Sequence, residues 1–224
     1  MDFEDARQMM IDLDLRGRGL GDERVLAAMA SVPRERFVDP ELATHAYRDI
    51  PLPIEAGQTI SQPYIVALMA EALLLSPTDR VLDIGTGSGY AAAVLAELCA
   101  EVFSIERHEP LATAAANRLE ALRIDNVVVR CGDGTLGWPE AAPFDAIVVA
   151  AGAPRIPPAL VSQLAVGGRL VLPVGATQRR QELVRVTREP GDVFLRECLG
   201  AVRFVPLIGD EAWSGDDDKL AALL

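Results

Sequence analysis

The clearest pattern along the chain is an alternation of short apolar runs with longer segments of helical apolar spacing. The apolar runs lie at residues 80–84, 102–105, 127–130, 146–150 and 169–172, without the strict alternation of a half-exposed strand. Helical spacing predicts helices at residues 63–75, 90–98, 110–122 and 157–164. Apolar strands that alternate with helices are typical of a parallel sheet covered on both faces. We therefore predict an α/β fold with a doubly wound, mostly parallel sheet and right-handed crossovers.

The two ends of the chain have different patterns. Apolar spacing predicts N-terminal helices at residues 5–15 and 22–30, and prolines between residues 33 and 63 then break the pattern. Beyond residue 175, the segments 182–187, 193–197 and 201–207 are typical of antiparallel strands. Residues 209–218 are acidic, and we expect a solvated, mobile tail, although it includes Trp213, a residue type that usually packs. The predicted organisation is a single domain over residues 1–224, with N-terminal helices and a loop (1–62), a core (63–175), C-terminal strands (176–208) and the tail (209–224).

Composition limits the classes of function. Half of the 224 residues are hydrophobic, so the chain can build a full core. The formal net charge is −12 and no basic run is evident, which argues against a nucleic-acid partner. Three dispersed cysteines and two histidines predict neither a disulfide framework nor a metal site. The N-terminus is acidic and no apolar stretch is long enough to span a membrane, so we expect a cytoplasmic protein without a membrane partner. We also expect a monomer.

The first apolar run of the core ends in a glycine-rich turn. Residues 83–90 read DIGTGSGY, with Gly85, Gly87 and Gly89 before the predicted helix start at Tyr90. Glycines let the backbone approach a ligand closely because no Cβ intervenes. A helix start offers unpaired N–H groups and a positive dipole end. The turn therefore predicts a site for a ligand with a nucleoside or anionic part, at the carboxyl ends of the strands.

The acidic residues around this turn distinguish between nucleoside ligands. A dinucleotide-binding turn would have its third glycine where Tyr90 stands, and a phosphate-binding P-loop would need a lysine that is absent. Asp83 suits a ligand with an ammonium group, Glu106 can accept from ribose hydroxyls, and Asp133 can accept from an adenine amino group. Each acid alone could instead be a cap, a turn residue or a solvated strand end. Their occurrence at three successive strand ends favours S-adenosylmethionine (AdoMet) over a dinucleotide.

With these residues in view, the chain resembles the protein-L-isoaspartate O-methyltransferase family. The resemblance covers nearly the whole chain, and its most specific segment is residues 57–63, which read GQTISQP. The other matching segments are residues 32–38, 83–90, 132–134, 143–149, 167–175 and 202–207. The resemblance implies a Rossmann-like class I methyltransferase fold. It also implies methyl transfer from AdoMet to the free α-carboxylate of L-isoaspartyl residues in damaged proteins and peptides, which starts repair through a succinimide.

The resemblance further implies roles for individual residues. Ser61 corresponds to the active-site serine, and Thr59 and Ile60 line the cofactor cleft beside it. The AdoMet site is matched by Asp83, Gly85, Gly87, Gly89, Glu106, Asp133 and Gly134, and the segment that pairs with the substrate backbone by Val205, Pro206 and Leu207. An acceptor carboxylate is already ionised at neutral pH, so Ser61 would orient it by a hydrogen bond and no general base is required. The competing interpretation is that Ser61 caps the helix that begins near residue 63.

Two stretches depart from the family pattern. Residues 150–155 read AAGAPR, so that Arg155 stands in place of an acidic residue and Gly152 adds backbone freedom. Glu55 and Ala56 stand where small or apolar residues are common. These departures leave open a related methyltransferase that acts on another peptide carboxylate. A second alternative is a non-catalytic AdoMet-binding protein with the acidic tail as a docking segment, against which the intact Ser61 and glycine turn speak.

Overall fold

The computed structural model describes residues 2–214, and its centre is a seven-stranded sheet. In chain order the strands are β1 (Leu52–Pro53), β2 (Thr59–Ile60), β3 (Arg80–Ile84), β4 (Glu101–Glu106), β5 (Val127–Cys131), β6 (Phe144–Val149), β7 (Leu164–Thr177), β8 (Arg180–Glu189) and β9 (Val193–Val202). The sheet order is β5-β4-β3-β6-β7-β8-β9, and β1 pairs separately with β2. The five strands β5, β4, β3, β6 and β7 run parallel to one another. Strand β8 is antiparallel to β7, and β9 is antiparallel to β8. The predicted doubly wound α/β fold with C-terminal antiparallel strands is confirmed.

The described residues form six α-helices around this sheet. They are α1 (Phe3–Met9), α2 (Glu23–Ser31), α3 (Pro63–Ala72), α4 (Tyr90–Ala96), α5 (Glu109–Ala121) and α6 (Pro158–Ser162). The helix predicted over residues 5–15 is α1 continued by a π-helical turn, Met10–Leu15, and it leads into a 3₁₀ turn, Arg16–Arg18. Among the described residues, no helix combines the length and the apolar character that crossing a membrane requires.

Side chains on the two faces of the sheet enter different apolar clusters. Val81 and Val148 pack with the N-terminal helices, in a cluster that includes Met29. Leu82 and Ile147 point the other way and pack with Leu160 of α6, among others. Both faces are therefore buried, which explains why the central strands show no polar alternation. The strand ends are left as the place where a ligand can enter.

The C-terminal strand predictions need one correction. Strand β9 is a single strand that runs through the two predicted segments to Val202, and residues 203–207 leave the sheet. Pro206 makes only an isolated bridge with Gly152. Proline has no N–H to donate to a ladder, so a regular strand through this position is unfavourable.

The predicted mobile tail also differs in its first part. Residues 209–214 pack on the body of the protein, where Trp213 Nε1 donates to Gly152 O at 3.0 Å and Glu211 accepts from Ala159 N at 2.9 Å. The tryptophan buries apolar surface that an acidic composition does not reveal. The remainder of the predicted tail, residues 215–224, lies outside the described residues.

Candidate functional site

A cleft of about 310 Å³ lies at the carboxyl ends of β3, β4 and β6. Its wall includes backbone of the glycine turn at Gly85 and Gly87, the strand β2, and the segment from Val205 to Ile208. Strand β2 is held there because Ile60 pairs with Leu52 of β1. The predicted ligand position at the strand ends is therefore a real cavity of this fold.

The three glycines of the turn have different roles. All three have positive φ angles, 93° at Gly85, 53° at Gly87 and 90° at Gly89, which residues other than glycine rarely adopt. Gly85 and Gly87 line the cleft, whereas Gly89 directly precedes α4 and a Cβ there would lie 3.4 Å from Ala115 Cβ of α5. Gly89 therefore serves the close packing of the turn, and the contact with a ligand falls to Gly85 and Gly87.

Glu106 is fixed at the edge of the cleft by backbone donors. Its Oε2 accepts from Gly87 N at 2.9 Å and its Oε1 accepts from His108 N at 3.0 Å. The side chain is almost fully buried. Each carboxylate oxygen has two lone pairs, so each can still accept one further hydrogen bond. This geometry suits the predicted pair of ribose hydroxyls.

Asp83 is a buried carboxylate with an unused oxygen. Its Oδ2 accepts from Ser104 Oγ at 2.7 Å, and Oδ1 has no hydrogen-bond partner among the described residues. Burial raises the pKa of Asp83 to about 6, the hydrogen bond from Ser104 opposes this, and the charge of Glu106 adds to it. Asp83 lines a small cavity of about 30 Å³ that shares Ser61 and Ala150 with the cleft. An orphaned carboxylate oxygen in this place fits a cationic ammonium group.

Asp133 has a different environment from the one expected. Its Oδ1 accepts from the backbone N and the Oγ1 of Thr135 at 2.8 and 2.7 Å, and its Oδ2 accepts from Asp210 N at 2.9 Å. Asp133 does not line the cleft, whereas its neighbour Gly134 does. The contact with an adenine amino group stays a prediction, and the hydrogen bonds present tie Asp133 to the C-terminal segment.

Ser61 lies where the cleft opens into a second, larger cavity. This cavity is a groove of about 1180 Å³ on the surface. Five residues line both cavities: Thr59, Ser61, Ala150, Val205 and Pro206. The residue that precedes α3 is Gln62, and the Ser61 hydroxyl makes no hydrogen bond with any described residue. The interpretation of Ser61 as a helix cap is therefore wrong, and its hydroxyl is free for a ligand.

Backbone groups of the segment predicted to pair with a substrate backbone are partly engaged in hydrogen bonds within the protein. Leu207 N donates to Gly152 O at 2.8 Å, and Leu207 O accepts from Trp213 N at 3.0 Å. Val205 O accepts from Gly152 N at 2.8 Å. Val205 and Pro206 face the groove, but Leu207 is buried and lines only the cleft. Of this segment, Val205 and Pro206 therefore remain for a substrate.

Gly152 does not loosen its loop as expected. It bridges to Pro206, and a Cβ at this position would overlap the side-chain amide of Gln181. Gln181 in turn accepts from Phe204 N at 2.7 Å through its Oε1. A larger residue here would displace the Gln181 amide, which is hydrogen-bonded to residue 204, so Gly152 favours the close packing of residues 204–207.

Three further residues border the site, and the sequence analysis assigns a functional role to none of them. Arg34 is fully buried and donates to Ser61 O at 2.8 Å and to Ala46 O at 2.7 Å, which fixes the backbone at Ser61. Arg107 and His108 line the cleft directly after Glu106. A signal for Arg34 was present, since it lies within the matching segment 32–38, but an isolated arginine in a sequence gives no indication of its partner.

Comparisons with known proteins identify the family of the chain. The family model for protein-L-isoaspartate(D-aspartate) O-methyltransferase matches residues 5–212. A relative named protein-L-isoaspartate O-methyltransferase 2, from Pelobacter propionicus, is 60% identical over 94% of this chain and 93% of its own length. A protein of the same name from Marinobacter nauticus is 59% identical over 95% of this chain and 97% of its own.

Solved structures give the same result. A protein-L-isoaspartate O-methyltransferase structure has a TM-score of 0.82 and 31% identity, and the match covers 92% of this chain and 67% of that one. A structure described as a putative protein-L-isoaspartate O-methyltransferase from Plasmodium falciparum, in complex with S-adenosyl-L-homocysteine, has a TM-score of 0.79 and 28% identity over 90% of this chain and 98% of that one. The resemblance inferred from the sequence motifs is confirmed, and the chain belongs to the protein-L-isoaspartate(D-aspartate) O-methyltransferase family.

Proposed function

We propose that this chain transfers the methyl group of AdoMet to the free α-carboxylate of L-isoaspartyl residues in damaged proteins and peptides. The observation that carries the proposal is the position of Ser61. Its free hydroxyl lies at the junction of a nucleoside-sized cleft and an open groove that can hold a peptide. A donor and an acceptor can therefore meet at this one side chain. The methyl ester product would close to a succinimide without further catalysis.

The chain's own residues fit AdoMet in the cleft. Asp83 presents an orphaned buried oxygen for the ammonium group, and Glu106 has one free lone pair on each oxygen for the ribose. Gly85 and Gly87 keep side chains out of the cleft, and Gly134 also lines it. When bound, AdoMet supplies a methyl group that its sulfonium charge has already activated. The remaining task of the protein is to position AdoMet and the acceptor carboxylate.

On the acceptor side, Ser61 orients the substrate carboxylate. Its hydroxyl donates a hydrogen bond to one carboxylate oxygen, and Arg34 fixes the backbone that carries it. The carboxylate is ionised at neutral pH and is itself the nucleophile, so no base is needed. Alignment of nucleophile and methyl group at near-attack distance is the main contribution to the rate. Val205 and Pro206 line both cavities with Ser61 and help to exclude water.

The proposal includes the setting in which the enzyme works. We place it in the cytoplasm as a monomer, and the three dispersed cysteines suit a reducing compartment. The net charge of −12 argues against a nucleic-acid partner. Size-exclusion chromatography with light scattering tests the monomer, with a dimer mass as the contrary result.

The experiment that tests the activity compares two peptides that differ in one linkage. Tritium transfer from labelled AdoMet is measured on an L-isoaspartyl peptide and on the normal aspartyl peptide of the same sequence. Base-labile label on the isoaspartyl peptide alone supports the proposal. Equal labelling of the aspartyl peptide would indicate a methyltransferase for another carboxylate. AdoMet binding without transfer to either peptide would indicate a non-catalytic binding protein.

A further inference from the structure

The groove beside Ser61 has the opposite charge to the chain as a whole. The formal net charge of the chain is −12. The described residues that line the groove include three arginines, Arg18, Arg179 and Arg203, and no aspartate or glutamate. A groove of this composition attracts anionic groups locally, although the molecule as a whole repels them.

Two of the three arginines are available to a ligand. Arg18 is engaged, because its Nη1 donates to Asp49 at 2.7 Å and its guanidinium carbon lies 3.4 Å from the centroid of the Tyr64 ring. Arg179 and Arg203 are exposed, and neither makes a hydrogen bond or ion pair with a residue in the part of the chain that the structure describes. Both residues line the groove, and no carboxylate among residues 2–214 pairs with either of them.

Both free arginines lie on the C-terminal side of the groove. Arg179 occupies the turn between β7 and β8, and Arg203 directly follows β9. Arg203 is two residues from Val205, which lines both cavities together with Ser61. Since consecutive Cα atoms are about 3.8 Å apart, the Cα atom of Arg203 lies within roughly 8 Å of that of Val205. A peptide held at Ser61 would therefore place its nearby side chains within reach of Arg203.

We propose that Arg179 and Arg203 select isoaspartyl peptides that carry aspartate or glutamate close to the damaged residue. The inference rests on the proposed function and adds a substrate class to it. Guanidinium groups bind carboxylates through paired, charge-assisted hydrogen bonds. The opposing effect is repulsion by the net charge of the chain, but salt screens such long-range interactions over about 8 Å at physiological ionic strength. The groove contacts are shorter than this and decide the preference.

The test compares peptides with matched flanks. Two isoaspartyl peptides differ only in carrying glutamate or lysine at the two positions on either side, and kcat/KM is measured for each in 0.15 M salt. For the wild type, kcat/KM is expected to be about five- to tenfold higher for the glutamate peptide than for the lysine peptide, as two exposed ion pairs would give. The double variant Arg179→Gln/Arg203→Gln brings this ratio close to one. Arg180→Gln keeps the wild-type ratio, because Arg180 is the next residue but does not line the groove.

Two results would overturn the inference. One is an equal ratio in wild type and the double variant, and the other is a wild-type preference for the lysine peptide. Fluorescence anisotropy of the labelled peptides, with S-adenosylhomocysteine present, separates this inference from the proposed function. Preferential binding of the glutamate peptide with no methylation of any peptide would refute the proposed function but not the charge preference. Methylation of both peptides at equal kcat/KM would refute only the charge preference.

Discussion

At the scale of single residues, the Ser61 hydroxyl makes no hydrogen bond with any described side chain or backbone group. Serine beside a helix start usually caps the helix, and here the chain gives that position to Gln62, whose side chain makes no capping bond. A serine with no structural task, at the junction of two cavities, is available for a substrate. Loss of its hydroxyl should therefore affect catalysis more than stability.

The Ser61→Ala substitution is expected to lower the rate of methyl transfer to an isoaspartyl peptide by about tenfold to a thousandfold, the range for a lost orienting contact. The melting temperature should change little, because no described hydrogen bond is removed. The measurement is kcat from tritium transfer at saturating AdoMet. Ser162→Ala is the matched control, since that hydroxyl donates only to Ala159 O on the far helix α6. Near-wild-type kcat for Ser61→Ala would remove Ser61 from the mechanism.

Asp83 gives a pH dependence of cofactor binding. Its pKa is raised to about 6, chiefly by burial. Below this pH the carboxyl group is protonated and no longer attracts the ammonium group, so the Kd for AdoMet should rise by about tenfold per pH unit. Calorimetric titrations at pH 7.5, 6 and 5 measure this change. A Kd that is constant over the range would contradict the ammonium contact.

The same burial makes the ionised Asp83 side chain destabilising in the protein without AdoMet. Because its folded pKa lies above the unfolded value of 3.8, the folded state holds the proton more tightly, and stability is lost as pH rises from about 4 to about 6. At neutral pH the cost is roughly 3 kcal/mol. Asp83→Asn should therefore raise the free energy of unfolding at pH 7 while it weakens AdoMet binding. Urea titrations and calorimetry measure the two effects, and a destabilised variant would contradict the argument.

At the scale of elements, the C-terminal segment closes one side of the cleft through a few polar contacts. Asp133 connects the 3₁₀ turn Gly134–Leu136 to Asp210 N, and Thr135 Oγ1 accepts from Glu211 N at 3.2 Å. Gly209 lies so close that a Cβ there would overlap the Asp133 carboxylate. Residues 205–208 line the cleft just before this connection. Loss of these hydrogen bonds should therefore weaken binding of the cofactor.

Gly209→Ala is expected to displace the Asp133 carboxylate and release the hydrogen bond from Asp210. One or two lost hydrogen bonds correspond to about 1–2 kcal/mol, and AdoMet binding should weaken by roughly tenfold. Isothermal calorimetry measures the affinity. Gly21→Ala is the control, because a Cβ at Gly21 meets nothing within 4 Å. Equal affinities for the two variants would show that the segment is not coupled to the cleft.

At the scale of the whole molecule, the cofactor cleft joins elements that are far apart in sequence. Its walls come from β2, the glycine turn, the ends of β3 and β4, and residues 205–208. A ligand that contacts all of these stabilises the folded state, since the unfolded chain has no such site. The subdivision of the chain into segments ending at residues 62, 175 and 208 stays a prediction of this organisation.

AdoMet at a hundredfold excess over its Kd is expected to raise the melting temperature by about 5–10 °C. Binding then contributes about 2.7 kcal/mol, and a domain of this size shifts by about 2–4 °C per kcal/mol. Differential scanning fluorimetry measures the shift. NAD at the same concentration is the control, because the turn lacks the third glycine of a dinucleotide site. A larger shift with NAD would reject the choice of ligand.

The sequence by itself determined the fold class, the family and the ligand-binding end of the sheet. Strand β3 has the predicted bounds, residues 80–84, because a buried strand that ends in a glycine turn is specified by local chemistry. The position of Gly85, Gly87 and Glu106 at the cleft was also predictable, since it depends on backbone conformation and on regular spacing after strands. Such features are encoded within a few neighbouring residues.

Only the tertiary structure decided the contacts between distant segments. It engages Asp133 with Asp210, places Arg34 behind Ser61, and packs Trp213 against Gly152. It also brings Arg179 and Arg203 together in one groove. No local pattern specifies these pairs, because each partner lies on a different element and their distance depends on how the elements pack. Long-range packing thus decides which side chains remain free for a ligand, and the local sequence decides only which types are present.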